Sequence, residues 1–171
     1  LYEKAIYKIQ AMLNQKVRVL FVCLGNICRS PVAEAVFQRE IERAGFSDWI
    51  YTDSAGTADY HVGELPDPRT RENASLHGIQ LTHKGRQITS RDFETFDLIL
   101  AMDVNNYKNI RKMKPGIATD KVRLFADFHP NPALKEVPDP YYSSPEAFEL
   151  VFQLCEKISP FLLQHIKEKY A

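Results

Sequence analysis

From residue 17 the chain runs a dense apolar stretch, residues 17–22, straight into Cys23-Leu24-Gly25-Asn26-Ile27-Cys28-Arg29-Ser30 and on into Pro31-Val-Ala-Glu-Ala-Val-Phe. The stretch is short and rich in β-branched residues, the pattern of a strand buried on both faces, as in a parallel sheet. After it, Ala33, Val36, Phe37 and Ile41 recur at helical spacing, which predicts a helix with Ser30 as N-cap, Pro31 as first residue and Gly45 just past its end. A strand, a tight loop and a helix follow one another with no room for anything else.

The remainder repeats that alternation. Residues 49–52 read as a second strand, followed by the small residues Ser54, Ala55 and Gly56. A helix over 67–76 stops at Gly78, a third strand covers 96–101, and a helix over 104–113 stops at Pro115 and Gly116. A short fourth strand covers 122–125, and residues 128–142 form a long loop with four prolines. The final helix, 146–169, carries Phe148, Val151, Phe152, Cys155, Ile158, Leu162 and Ile166 at core spacing. Strands alternating with helices imply an α/β fold: one domain, 17–171, with a parallel, doubly wound sheet flanked by helices on both faces. Ligands on such sheets sit at the carboxyl ends of strands, which puts the loop after the first strand at the site.

Residues 1–16 form an extension. Leu1, Ala5, Ile6, Ile9, Met12 and Leu13 have the spacing of a short amphipathic helix, able to pack on the domain or on a partner. Weak self-association through it stays open beside the plainer reading, a surface extension without function. The 22 basic residues balance 22 acidic ones, which argues against a nucleic-acid partner but allows a local positive site for a phosphorylated ligand. No apolar run is long enough to cross a bilayer, so no membrane partner is expected. Three cysteines at wide spacing do not read as a secreted disulfide framework, and the start lacks the apolar core of a signal peptide. A cytoplasmic enzyme is the expectation.

The loop between strand and helix can turn successive backbone N–H groups inward, making an anion cradle at a helix N-terminus. Gly25 and Asn26 are residue types that tolerate the positive φ of such a curl. Arg29 can clamp two phosphate oxygens with its planar guanidinium. A thiol at the centre of this field, Cys23, is expected to be ionised and reactive near neutrality. A thiolate under a bound phosphoryl group suggests in-line attack on phosphorus, with Arg29 and the loop amides stabilising the equatorial oxygens. Ser30 can donate its hydroxyl to the thiolate. Neither a metal nor a cofactor is called for, and no Cys/His cluster has metal-ligand spacing. The plain alternative, a small buried cysteine beside a surface arginine, does not explain the Gly-Asn curl between a strand and a capped helix.

The stretch Val-Leu-Phe-Val-Cys-Leu-Gly-Asn-Ile-Cys-Arg-Ser-Pro-Val-Ala-Glu-Ala resembles the signature of the low-molecular-weight protein tyrosine phosphatases, and the likeness extends from about Val17 to the final helix. The resemblance implies a four-stranded parallel sheet and metal-free hydrolysis of phosphotyrosine in proteins. It also implies a general acid in Val137-Pro138-Asp139-Pro140-Tyr141-Tyr142. Taken alone, Asp139 reads as an acidic turn residue; as the acid it must be protonated while Cys23 is ionised, which makes the rate bell-shaped in pH. Asn26, Ser30, Ser54 and His83 match the family's supporting network. Asp103 matches a position near the acid loop and takes a positioning role. Leu24, Ile27, Tyr60, Tyr141 and Tyr142 match the cleft wall, where a deep aromatic slot keeps the shorter phosphoserine from the thiolate. Related protein-arginine phosphatases carry threonine where this chain has Ile27, so isoleucine favours tyrosine. Cys28 matches a cysteine that pairs reversibly with the nucleophile; a packed thiol is the alternative.

Three other readings compete. Arsenate reductase on the same scaffold needs relay cysteines after the third strand, and residues 90–120 contain none. A non-catalytic phosphate-binding module would be expected to lose the nucleophile or the acid. A dithiol redox protein usually has two residues between its cysteines, not four. His61 and Glu64 fall in the family's variable loop near the cleft, and no peptide preference follows from them.

Overall fold

Strand β1 (Val17–Cys23) is buried along its length except for a half-exposed Arg18. The computed structural model, which describes residues 2–13 and 16–171, explains why. β1 is paired in parallel on both edges, with β2 (Ile50–Gly56) on one side and β3 (Leu98–Ala101) on the other. β4 (Val122–Leu124) pairs parallel to β3, giving the four-stranded order β2-β1-β3-β4. The chain leaves β1 for β2 on one side and later returns to β3 on the other. The carboxyl end of β1 is therefore the switch point where helices diverge and a crevice opens.

Helices cover both faces. Val19, Phe21 and Cys23 of β1 face a core shared with α2 (Arg29–Ala44) and α6 (Pro145–Tyr170). Leu20 and Val22 point the other way, into a second core with α4 (Asp92–Thr95) and α5 (Val104–Met113). The alternation follows from the two-residue period of a strand. All seven core positions expected on the last helix are buried, and so are Ala33, Val36, Phe37 and Ile41 of α2. Gly45 ends α2 at φ 85°, a left-handed cap that relieves the last carbonyls. The third helix, α3 (Pro68–Leu76), is capped by the Asp67 carboxylate and stops before Gly78.

Four expectations change. Ser54, Ala55 and Gly56 were expected after the second strand but lie within β2, opposite Phe21, Val22 and Cys23, because three small residues let the strand continue beneath the loop. The third and fourth strands are shorter than their apolar runs: Phe96 precedes β3, and Phe125 begins a 3₁₀ turn, Phe125–Phe128. The four-residue α4 escaped the sequence reading, being too short to show a period. The N-terminal helix α1 (Tyr2–Met12) forms, but its expected apolar face points outward. Ala5, Ile6, Ile9 and Leu13 are exposed. Tyr7 is buried instead, against Phe46 and Trp49 at ring separations of 4.8 and 4.4 Å. Those two rings offer more contact area than a row of aliphatics on a thin edge could find. Leu1 and the side chain of Met12 lie outside the described residues. No described helix is long and apolar enough to cross a membrane.

Candidate active site

The loop that follows β1 is built around one side chain. Asn26 takes φ 57°, the one positive φ among the described non-glycine residues, and is fully buried. Its amide uses every hydrogen-bonding position. Nδ2 donates to Ser30 Oγ at 2.8 Å and to Ser54 Oγ at 3.0 Å. Oδ1 accepts from His83 Nε2 at 2.8 Å and from the backbone N–H of Arg86 at 3.0 Å. An N–H can only donate, so the Arg86 bond fixes which end of the amide is oxygen, and His83 must carry its proton on Nε2. These bonds hold a backbone conformation that is otherwise unfavourable outside glycine.

Gly25 was expected to share the positive φ and does not. Space around it is tight: a Cβ there would come within 3.1 Å of His61 Cδ2, so the imidazole would have to shift to admit one. Gly56, at the end of β2, has a stronger requirement. A Cβ on it would sit 2.7 Å from the Leu24 carbonyl and 3.2 Å from the Asn26 nitrogen.

Cys23 Sγ lies at the bottom of the curl. The Asn26 N–H donates to it at 3.3 Å, and Ser30 Oγ is 3.0 Å away. Since Ser30 Oγ already accepts from Asn26, its own proton is available to the sulfur. This overturns the N-cap expectation for Ser30. α2 begins at Arg29, Cys28 precedes it without a side-chain cap, and the Ser30 hydroxyl turns back to the sulfur instead. The uncapped N–H groups of that first turn are left for an anion.

Arg29 is almost wholly buried. Its Nη1 donates to Asp103 Oδ2 at 2.6 Å and to the Val137 carbonyl at 3.2 Å, while Nη2 lies 3.6 Å from Asp139 Oδ2. Burial opposes its charge, but the neighbouring Cys23, Asp103 and Asp139 outweigh that and hold it above its ordinary value. Asp103 is itself fixed as the N-cap of α5, in a reciprocal capping box with Asn106.

A cavity of about 250 Å³ opens over the loop. Cys23, Gly25, Cys28 and Arg29 line it from within the loop, with Asp139 at its edge. Its wall is formed by Leu24, Ile27, Tyr60, Tyr141 and Tyr142, the residues expected there, and by His61, whose Nδ1 meets Glu64 Oε2 at 2.7 Å. The two tyrosines meet edge to face at 4.8 Å. Asp139 is exposed, with Oδ1 accepting the Tyr141 N–H at 3.1 Å. Asn26, Ser30, Ser54, His83 and Asp103 do not line the cavity; they stand behind it. Burial pushes the Cys28 thiol up to about 12, so at neutral pH it stays protonated.

The supporting shell reaches residues that no spacing in the sequence suggested. Ser54 Oγ donates to Glu34 Oε2 at 2.7 Å, and burial pushes the Glu34 carboxyl up to about 7. His83 Nδ1 lies 3.6 Å from both Glu34 and Asp53. These three groups have ligand atoms within 4.8 Å of one another, but Arg86 already bonds Asp53 at 3.0 Å and Asp92 at 3.0 Å and supplies the positive charge. Burial lowers His83 below its ordinary value, with Asp53 pulling the other way. None of Glu34, Asp53 and Arg86 carried a signal in the sequence, because each meets its partners only across the packed layers.

Comparison with known proteins agrees with this geometry. Residues 18–171 match the family described as low molecular weight phosphotyrosine protein phosphatase. The Schizosaccharomyces pombe protein of that name is 45% identical over 152 residues, which span 88% of this chain and 97% of the relative. The crystal structure of a protein tyrosine phosphatase from Entamoeba histolytica superposes with a TM-score of 0.87 at 37% identity, covering 91% of this chain and all of the other. YfkJ from Bacillus subtilis superposes with a TM-score of 0.86 at 38% identity, covering 91% and 98%.

Proposed function

The chain belongs to the low molecular weight phosphotyrosine protein phosphatases, and on that premise we propose that it hydrolyses phosphotyrosine in proteins through a phosphocysteine formed on Cys23. In the first step Sγ attacks phosphorus in line and the bond to the aryl oxygen breaks. Asp139 gives its proton to the departing phenolate. The inward N–H groups of the loop and the Arg29 guanidinium hold the three equatorial oxygens as charge shifts between them. In the second step water attacks the phosphocysteine, Asp139 takes its proton, and the thiolate leaves. Ser30 Oγ and the Asn26 N–H, 3.0 and 3.3 Å from the sulfur, stabilise it as a leaving group.

The observation that carries this reading is convergence: Cys23 and Arg29 of one loop and Asp139, from a segment far along the chain, line one cavity. The aromatic wall favours a flat ring reaching down to the sulfur, which supports tyrosine over serine phosphate. Cys28 beside Cys23 suits a reversible disulfide that protects the nucleophile from further oxidation. After peroxide, wild type should recover with thiol more fully than Cys28→Ser; equal recovery removes the switch.

The deciding experiment measures phosphate release from para-nitrophenyl phosphate in the presence of chelator, from mildly acidic to neutral pH. Turnover by wild type with none by Cys23→Ser is the expected result. No turnover from reduced, folded wild type sinks the proposal.

A further inference from the structure

Arg69, at the second position of α3, holds an arrangement on the cleft rim that the steps above do not use. Its side chain is 45% exposed, yet each of its three guanidinium nitrogens is hydrogen-bonded within the protein. Nε and Nη2 fork onto the Asp67 carboxylate at 3.0 and 2.8 Å, and Nη1 donates to the Tyr141 carbonyl at 2.9 Å. The guanidinium also lies 5.3 Å from the centre of the Tyr141 ring and 4.7 Å from that of Phe148. Asp67 is buried and Arg69 half-exposed, and the side chain spans from that carboxylate to the Tyr141 carbonyl, so its placement ties two separate segments together.

Two backbone bonds show what that is. At one end, the Asp67 N–H donates to the Ile27 carbonyl, in the phosphate loop, at 2.9 Å. At the other, the Tyr141 N–H donates to Asp139 Oδ1 at 3.1 Å. A continuous path thus runs from the phosphate loop through Asp67, Arg69 and Tyr141 to the Asp139 carboxyl. The segment carrying Asp139 is stiff, with Pro138 and Pro140 restricting the backbone on either side. A stiff arm is aimed by its two ends. Arg29 holds one, at the Val137 carbonyl; Arg69 holds the other.

We propose that Arg69 is a positioning residue for the general acid, keeping Asp139 in register with the phosphate loop by anchoring Tyr141. The inference rests on Asp139 being the acid, and it specifies what aims it. Lysine cannot substitute, because a compact ammonium cannot present a planar fork to both Asp67 oxygens while also bonding the Tyr141 carbonyl.

The test uses kcat/KM for aryl phosphates of graded leaving-group acidity, which reports the step in which the leaving oxygen takes its proton. The enzymes are wild type, Arg69→Ala, Arg69→Lys, Asp139→Asn and the Arg69→Ala/Asp139→Asn double variant. Comparing two substrates on one preparation cancels any loss of folded enzyme. Arg69→Ala should lose roughly tenfold on phenyl phosphate, whose leaving group needs a proton, and much less on para-nitrophenyl phosphate. Arg69→Lys should resemble Arg69→Ala, and the double variant should keep the leaving-group dependence of Asp139→Asn. An equal loss on both substrates, no loss, full activity with lysine, or additive dependence in the double variant would each overturn the proposal. If Asp139→Asn itself shows no steeper leaving-group dependence, the assignment of the acid fails first and the proposal goes with it.

Discussion

The loop after β1, proposed to bind phosphate, and the loop carrying Asp139, the proposed acid, meet over one cavity and are built in opposite ways. Asn26, Arg29, Ser30 and Ser54 are buried, and each is hydrogen-bonded inside the protein. Asp139 and Tyr142 are exposed, on a segment with no regular secondary structure, held by a few bonds at its ends. A loop proposed to bind a dianion has to present its N–H groups without reorganising, which fits its place in the core between β1, β2 and α2. In the proposed mechanism Asp139 gives a proton to the leaving group and takes one from the attacking water, which suits its exposed place on an arm aimed from outside. The difference implies that rate and stability are coupled in the first region and separable in the second.

The largest effect should come from Arg29→Lys. Losing the planar clamp together with the bonds to Asp103 and Val137 should lower kcat/KM by about 10³-fold. Retention of more than about a tenth of wild-type activity would show that the amides alone suffice. Asp139→Asn should cost roughly 10²-fold in kcat/KM on phenyl phosphate, while leaving the melting temperature nearly unchanged. Asn26→Ala should lose less rate, about tenfold to thirtyfold, but should destabilise the fold by about 3 kcal/mol because it strands Ser30, Ser54 and His83. For a domain of this size that is a fall of about 6–12 °C in a thermal melt. If Asp139→Asn melts as early as Asn26→Ala, the contrast between the two loops is wrong.

The smallest effect concerns the back of the phosphate loop. Burial raises Glu34 from 4.5 to about 7. Between those values the folded chain holds a proton that the unfolded chain has released, so stability falls as pH rises through that window. Glu34→Gln, which stays neutral, should flatten that fall. Denaturant melts at pH 5 and pH 8 should converge in the variant and differ in wild type by up to a few kcal/mol. An unchanged difference would mean that Glu34 is ionised throughout.

Local pattern carried much of this into the sequence. A β-branched apolar run ending in Cys23, a Gly-Asn pair and an arginine before an apolar helix specify a strand, an anion-binding curl and a helix from short-range rules alone. So do the seven core positions of α6, since a helix displays its buried face at fixed spacing. Local pattern misled where two rules competed. Ser30 has the type and place of an N-cap, but the sulfur seven residues earlier took its hydroxyl. The aliphatic stripe of α1 has helical spacing, but two rings at Phe46 and Trp49 drew Tyr7 inward.

The amino-acid sequence by itself determined which chemistry the chain can carry: a thiol and a guanidinium in one loop, and a carboxyl held between two prolines. Their relation in space came only with the tertiary structure. Cys23 and Asp139 are joined by no period or motif, and they share a cavity because β1 sits at the switch point of the sheet and the loop before α6 folds back over it. The parts that hold them (Gly56 under the curl, Glu34 behind Ser54, Arg69 between two rings) have no sequence signal, because each acts across distances set by how the layers pack.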